Sequence, residues 1–264
     1  MLEHHLKMTK TLAVIPARLA SSRFPNKPLK KILGIPMIAH CYYRAQLCKK
    51  IDKLILATPD KEIMDLSNQL GFDAILTSYE HDRATERAAE VLNILKSNDQ
   101  SFENVILLQG DEPQINPQII DQLIDEISQS NNDVINLLHP MKKDDLIDTN
   151  VVKALVNSNM EIINFSRTPI PANGKSGFRQ LGMIAFKTNA LERFSQLEPS
   201  KHEIIESIDM MRFLDNDLKI GTLLTQEIVI GVDEEHHIGE VEKKMKSDIF
   251  ITKYLLSYEK SFNN

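Results

Sequence analysis

Residues 104–113 read Asn-Val-Ile-Leu-Leu-Gln-Gly-Asp-Glu-Pro. The first five form an apolar run without polar alternation, bounded by a turn-forming cluster, and this predicts a strand over Asn104 to Leu108. A strand with no polar face must be covered on both sides, which is the condition inside a parallel sheet. Two upstream runs share the pattern: Thr11 to Ile15, closed by Pro16, and Lys53 to Thr58. Helical spacing fills the intervals, over Met37 to Cys48, over Lys61 to Leu70 with Gly71 as its stop, and over Ala84 to Lys96. A short strand is expected at Ala74 to Thr77, and a helix at Asn116 to Gln129 with Pro117 in its first turn. Strand and helix in alternation imply right-handed βαβ units and an α/β fold with a mostly parallel sheet.

The second half is less regular. Val151 to Val156 and Met160 to Phe165 read as a hairpin, Arg179 to Phe186 as a strand, and His202 to Leu214 as a helix. Lys219 to Thr225 and Glu227 to Val232 read as two further strands, and Glu234 to Leu256 as mostly helical. No repeat or Gly/Ser linker separates the halves, so a single domain over residues 8–256 is expected. The polar residues 1–7 read as an extension outside the fold, with Met8 as the natural start.

The chain has 264 residues, 42% hydrophobic and 26% charged, as in ordinary globular proteins. Its net charge of −6 and lack of Trp argue against a nucleic-acid partner. No run is apolar enough for a membrane span or a signal peptide, and Cys41 and Cys48 read as free buried thiols, so a cytoplasmic location is expected.

In an open α/β sheet, ligands bind beyond the carboxyl ends of the strands. Three charged segments follow predicted strands. Ala17 to Pro28 carries Arg18, Arg23 and Lys27, enough cations to cradle a triphosphate, although a solvated basic loop would look the same. It lacks the glycines of a P-loop or dinucleotide fingerprint. Asp111 follows the fourth strand and suits Mg²⁺, which takes one or two carboxylates together with substrate phosphates; Glu112 is left to cap or orient. Gly231-Val-Asp233 offers a second carboxylate at the same edge. His236 and His237, adjacent on a helix, read as exposed surface rather than metal ligands.

Taken in order, these segments resemble the 3-deoxy-manno-octulosonate cytidylyltransferases. The likeness runs through Ile15-Pro-Ala-Arg-Leu-Ala-Ser-Ser-Arg-Phe-Pro-Asn-Lys-Pro-Leu29, Gly34-Ile-Pro-Met-Ile38, Thr85-Glu-Arg87, Gln109-Gly-Asp-Glu-Pro113 and Asn150 to Lys153. It continues through Phe165-Ser-Arg-Thr-Pro-Ile170, Leu181-Gly182, Glu206 to Arg212 and Gly231-Val-Asp233, covering about Leu12 to Lys244. The resemblance implies a Rossmann-like sheet of the nucleotide-diphospho-sugar transferase type, with a smaller α+β subregion for substrate binding and dimerisation. It implies transfer of CMP from CTP to an eight-carbon 3-deoxy sugar acid, with release of pyrophosphate, for lipopolysaccharide or another surface polysaccharide. A related acceptor, an amino-substituted octulosonate or a nonulosonate, is the neighbouring alternative, and a catalytically silent nucleotide-binding relative is another.

By the same resemblance, Arg18, Arg23, Lys27 and Asp111 are the catalytic set. Ala17, Arg18, Ser22, Lys27, Thr85, Gln109 and Asp111 would contact the nucleotide, and Asp111 and Asp233 would hold Mg²⁺. Arg167, Gln180, Glu206 and Asp209 would line the sugar-acid pocket, with Arg167 suited to its carboxylate. A homodimer is implied too. Three departures stand out: Arg83-Ala84 where the family has Ser-Gly, Gln180 where it has His, and Met210 where it has Gln.

Overall fold

A computed structural model of the chain describes residues 9–20, 24–171, 177–227 and 230–261. The expected extension 1–7, and the candidate site residues Ser22 and Arg23, lie outside them. The first half follows the predicted alternation closely: β1 (Thr11–Pro16), the short pair β2 (Lys31–Ile32) and β3 (Ile35–Pro36), α1 (Met37–Gln46), β4 (Lys53–Thr58), α2 (Lys61–Leu70), β5 (Ala74–Leu76), α3 (Ala84–Ser97), β6 (Asn104–Leu107) and α4 (Pro117–Gln129). Gly71 ends α2 at φ 71°, a left-handed conformation that costs glycine little. Asn116 caps α4, its side chain accepting from the amide of Gln118.

The second half comprises β7 (Val134–Pro140), β8 (Lys153–Val156), β9 (Ile162–Ser166), β10 (Phe178–Lys187), α5 (Thr188–Ser195), α6 (Lys201–Glu206), α7 (Met210–Leu214), β11 (Ile220–Leu224), α8 (His236–Met245) and α9 (Ile251–Lys260). It departs from expectation at three places. The single helix expected over His202 to Leu214 is broken, because Ser207 takes φ 55° and α7 restarts at Met210. The strand expected over Glu227 to Val232 is absent among its described residues. β7 and α5 are additions to the expected elements.

Among the described residues, nine strands form one sheet in the order β11-β7-β10-β6-β1-β4-β5, with the β8–β9 hairpin attached to β10. Strands from both halves of the chain therefore share it. The pairings β11 with β7, β6 with β1, β1 with β4 and β4 with β5 are parallel, whereas β10 runs antiparallel to both β6 and β7. Two hydrophobic layers cover the sheet, one around α1 and α4, the other around α3, α5 and α7. The reversal of β10 has a functional result. It enters the sheet at the edge where β1, β6, β7 and β11 leave it, so Arg179, Gln180 and Gly182 join the loops that follow those four strands.

Candidate functional site

The loop after β1 starts against β4, the amide of Ala17 donating to the carbonyl of Ala57 and that of Leu19 to Asp60. It reaches Lys27 at the head of a short turn that Pro28 stiffens. After β6, Gly110 packs so closely that a Cβ there would stand 2.7 Å from the carbonyl oxygen of Pro16. That closeness seats Asp111 opposite Lys27. The segment carrying Asp233 is pinned alongside, the amide of Val232 donating to the carbonyl of Asp111 at 2.9 Å. The three charged segments thus converge. Lys27 Nζ lies 2.6 Å from Asp111 Oδ2 and 3.6 Å from Asp233 Oδ1.

A pair of carboxylates that already shares one cation offers the hard oxygen donors that suit Mg²⁺. Among the described residues no third acidic, His or Cys side chain completes a ready-made metal cluster. The remaining ligands of such an ion would therefore be phosphate oxygens and water, which is how Mg²⁺ is commonly bound. His237 is more than the exposed surface residue its sequence context suggests. Its Nδ1 accepts from the amides of Asp233 and Glu234, at 3.1 and 3.2 Å, and so fixes the backbone that carries the second carboxylate.

Two cavities meet here, and both are lined by Gln109 and Ala84. The smaller, about 190 Å³, is bordered by Ala17, Arg18, Arg83 and Arg87. Arg87, buried in α3, holds the 77–81 segment by donating to the Thr77 hydroxyl and to the carbonyls of Ser78 and His81. The larger, about 480 Å³, is bordered by Asp111, Glu112, Asp145, Arg179, Gln180, Gly182, Asp209 and Asp233, among others. Its floor is tight: a Cβ on Gly182 would fall 2.2 Å from Gln109 Cγ and 2.6 Å from Glu112 Oε1.

Glu112 is buried next to Asp111. Burial first and the neighbouring carboxylate second push its carboxyl up to about 8. Its Oε1 accepts the amide of Gly182 at 3.3 Å, while its buried Oε2 has no partner among the described residues. Burial also raises Asp209, against a lowering by the Thr85 hydroxyl, which donates to it at 2.7 Å.

The structure sorts the expected site residues. Ala17, Arg18, Lys27, Gln109, Asp111, Gln180, Asp209 and Asp233 gather around the two cavities. Thr85, expected on the nucleotide, is wholly buried and spends its hydroxyl on Asp209. Arg167, expected on a sugar carboxylate, donates to the carbonyls of Glu206, Thr149, Asn150 and Ser207. Glu206, expected in the same pocket, accepts the Ser166 hydroxyl and the Arg167 amide. Buried Lys153 holds the carbonyl of Arg167 from the other side. None of these three is among the described residues that line the larger cavity.

The three departures also find their places. Arg83 reaches Ser207, donating to its hydroxyl at 3.0 Å and its carbonyl at 3.4 Å, and so ties the start of α3 to the α6–α7 break. Gln180 donates to Asn136 Oδ1 at 2.5 Å, and the Asn136 amide reaches the sulfur of Met210 at 3.6 Å. Met210 is fully buried and does not line the cavity. Arg179 and Asp145 are site residues that the sequence does not disclose. A lone Arg beside the Gln-Leu-Gly segment carries no signal until the direction of β10 is known.

A family model described as cytidylyltransferase matches residues 12–220. The 3-deoxy-manno-octulosonate cytidylyltransferase of Thermodesulfovibrio yellowstonii is 37% identical over 247 residues, covering 88% of this chain and 97% of that protein. The mitochondrial 3-deoxy-manno-octulosonate cytidylyltransferase of Arabidopsis thaliana is 33% identical, covering 90% of this chain and 84% of its own length. A solved structure of CMP:2-keto-3-deoxy-manno-octonic acid synthetase complexed with CTP superposes with TM-score 0.83 at 31% identity, over 91% of this chain and all of that one. A putative glucose-1-phosphate thymidylyltransferase from Bacillus anthracis, 17% identical with TM-score 0.65, shares the fold.

Proposed function

This chain belongs to the 3-deoxy-manno-octulosonate cytidylyltransferase family, and we propose that it transfers CMP from CTP to 3-deoxy-manno-octulosonate with release of pyrophosphate. One observation carries the reading: two cavities share Gln109 and Ala84 as a common border, and the larger is also lined by Asp111 and Asp233, the two carboxylates that meet Lys27. A reaction between two bound substrates needs this arrangement, because positioning the reactants replaces a bimolecular encounter.

In this reading the smaller cavity takes the nucleoside end of CTP beside Ala17, Arg18 and Gln109, and the larger takes the sugar acid. A sugar hydroxyl oxygen attacks the α-phosphorus, the α–β anhydride bond breaks, and its electron pair leaves with pyrophosphate. The hydroxyl proton passes to solvent. Arg18, Arg23 and Lys27 hold the triphosphate and offset the negative charge that grows on its oxygens. Asp111 and Asp233 would hold Mg²⁺, whose contribution is to neutralise phosphate charge and screen the leaving group. Ser22, by the family resemblance, would contact phosphate or nucleoside. Gln180 and Asp209 border the acceptor, and Thr85 acts on Asp209 by holding its carboxyl.

The enzyme is read as a homodimer working in the cytoplasm; exposed Ile163, Ile204 and Ile205 beside the β8–β9 hairpin and α6 support a covered face. Among the described residues no helix is long and apolar enough to cross a membrane. Pyrophosphate release measured with CTP, Mg²⁺ and a panel of sugar acids tests the assignment. Turnover with the octulosonate well above the amino-substituted octulosonate and the nonulosonates is expected. Preference for another acid would move the acceptor assignment, and turnover with none would end it.

A further inference from the structure

The structure assigns to Arg179 the recognition of the acceptor's carboxylate, an inference that rests on the cytidylyl-transfer reading above. The larger cavity is strongly acidic. Among the described residues it is lined by the carboxylic side chains of Asp111, Glu112, Asp145, Asp148, Asp209 and Asp233, and by a single guanidinium, that of Arg179. A sugar acid entering such a cavity needs a cation to meet its carboxylate, because like charges repel strongly where water is partly excluded. Arg167 does not answer this need, because its guanidinium is spent on backbone carbonyls.

Arg179 is built for the task. It lies where β10 pairs with β7 through His139 and with β8 through Lys153, so its backbone is held on both sides. Asp145 anchors Nη1 at 2.9 Å and is itself fixed by accepting the amide of Lys142. The Nε of Arg179 is buried and has no hydrogen-bond partner among the described residues. With Nη1 held by Asp145 and the side chain still 29% exposed, the guanidinium is oriented yet reachable, and its planar donors suit a carboxylate better than a point charge would.

The test compares the native enzyme with Arg179→Gln, Arg179→Lys and Arg167→Gln. The KM for CTP, the KM for the sugar acid and the relative kcat/KM for the acid and its neutral carboxamide are measured, together with thermal unfolding. Arg179→Gln is expected to raise the sugar-acid KM about 30-fold or more, as for loss of one partner of a desolvated charge pair. The KM for CTP should stay within about twofold, and the preference for acid over carboxamide should collapse, which loss of a purely structural contact would not do. Arg179→Lys keeps the charge without the fork and should fall between the two; it decides the matter if Arg179→Gln does not fold. An unchanged acid-to-carboxamide ratio in the Arg179 variants, or its loss only in Arg167→Gln, overturns the assignment. A native enzyme that turns over no sugar acid with CTP would instead overturn the reading on which it rests.

Discussion

Replacing Gly182 by alanine tests whether the junction of the two cavities is as tight as it looks. The added methyl would stand 2.2 Å from Gln109 Cγ, 2.6 Å from Glu112 Oε1 and 3.0 Å from Glu112 Cδ. Contacts of this kind call for about 3.5 Å or more between carbons, so Gln109 must shift by roughly an ångström. Glu112 cannot simply swing away, since it is buried and its Oε1 holds the Gly182 amide. Overpacking of this sort costs about 1–3 kcal/mol. In a chain of this length each kcal/mol lowers Tm by roughly 2–4 °C. Activity should suffer more, because Gln109 borders both cavities and an ångström of misplacement near reacting groups can cost about 10²-fold. Gly239 is the control. It lies in α8, and a methyl added there would meet nothing within 4 Å, so Gly239→Ala should add about 0.5–1 kcal/mol of stability and leave turnover alone. Pyrophosphate release and thermal melts are read on both variants. If Gly182→Ala keeps turnover within about twofold, the junction is looser than these distances require and Gln109 does not couple the two cavities.

Asp111→Asn, which keeps the side chain's shape and removes its charge, should lower turnover about 10²-fold or more, with full turnover at limiting Mg²⁺ as the opposing result. Lys27→Met should lower turnover far more than it lowers thermal stability; activity within about twofold of native would return the basic loop to the status of solvated surface, since exposed charges contribute about 0–1 kcal/mol. His40 supplies a pH prediction away from the site. It is buried between the carbonyl of Ile32 and the hydroxyl of Tyr254, and burial lowers its imidazole to about 4. The folded state keeps it neutral, so between pH 6.5 and 4 the unfolded chain binds a proton that the folded chain refuses. Stability should therefore fall with pH across that window, by up to about 3 kcal/mol, and the fall should be shallower in His40→Gln; identical acid profiles would refute it.

The first half of the fold is legible because its strands are short continuous apolar runs between helices with clear stops, such as Gly71 after α2. β7 is not, since Asn136 and His139 interrupt the apolar pattern. Both are buried, and both are tolerated because they are hydrogen-bonded: Asn136 to Gln180 and His139 to the carbonyl of Pro140. The break at Ser207 is hidden for a related reason. Helical periodicity continues across it, while the left-handed turn is held by the amides of Ser207 and Ile208 on the Glu203 carbonyl and by Arg83 and Arg167 on the Ser207 carbonyl. Lys27, Asp111 and Asp233 can be grouped from sequence because each follows a run expected to end at one edge of the sheet, although the run before Asp233 is not a strand among the described residues. The orientation of Arg167 and Glu206 is not legible either, because residue type cannot say whether a guanidinium faces a pocket or a neighbouring backbone. Arg179 is invisible until the direction of β10 places it.

That direction has a further consequence. Arg179, Gln180 and Gly182 belong to a strand laced by hydrogen bonds into the centre of the sheet, while the facing wall, around Asp145, Asp148 and Asn150, lies in a connection between strands. An acceptor bound in the larger cavity, as proposed above, would sit between an anvil and an adjustable jaw. Insertions and deletions can be absorbed in the jaw, where they would reshape the reach and breadth of the pocket, but on the anvil a change of length within the paired stretches on either side of the irregularity between Gln180 and Ile184 would shift the register with β7. Descendants of this scaffold that acquire new acceptors should therefore vary in loop length between β7 and β8, and on β10 by side-chain replacement alone.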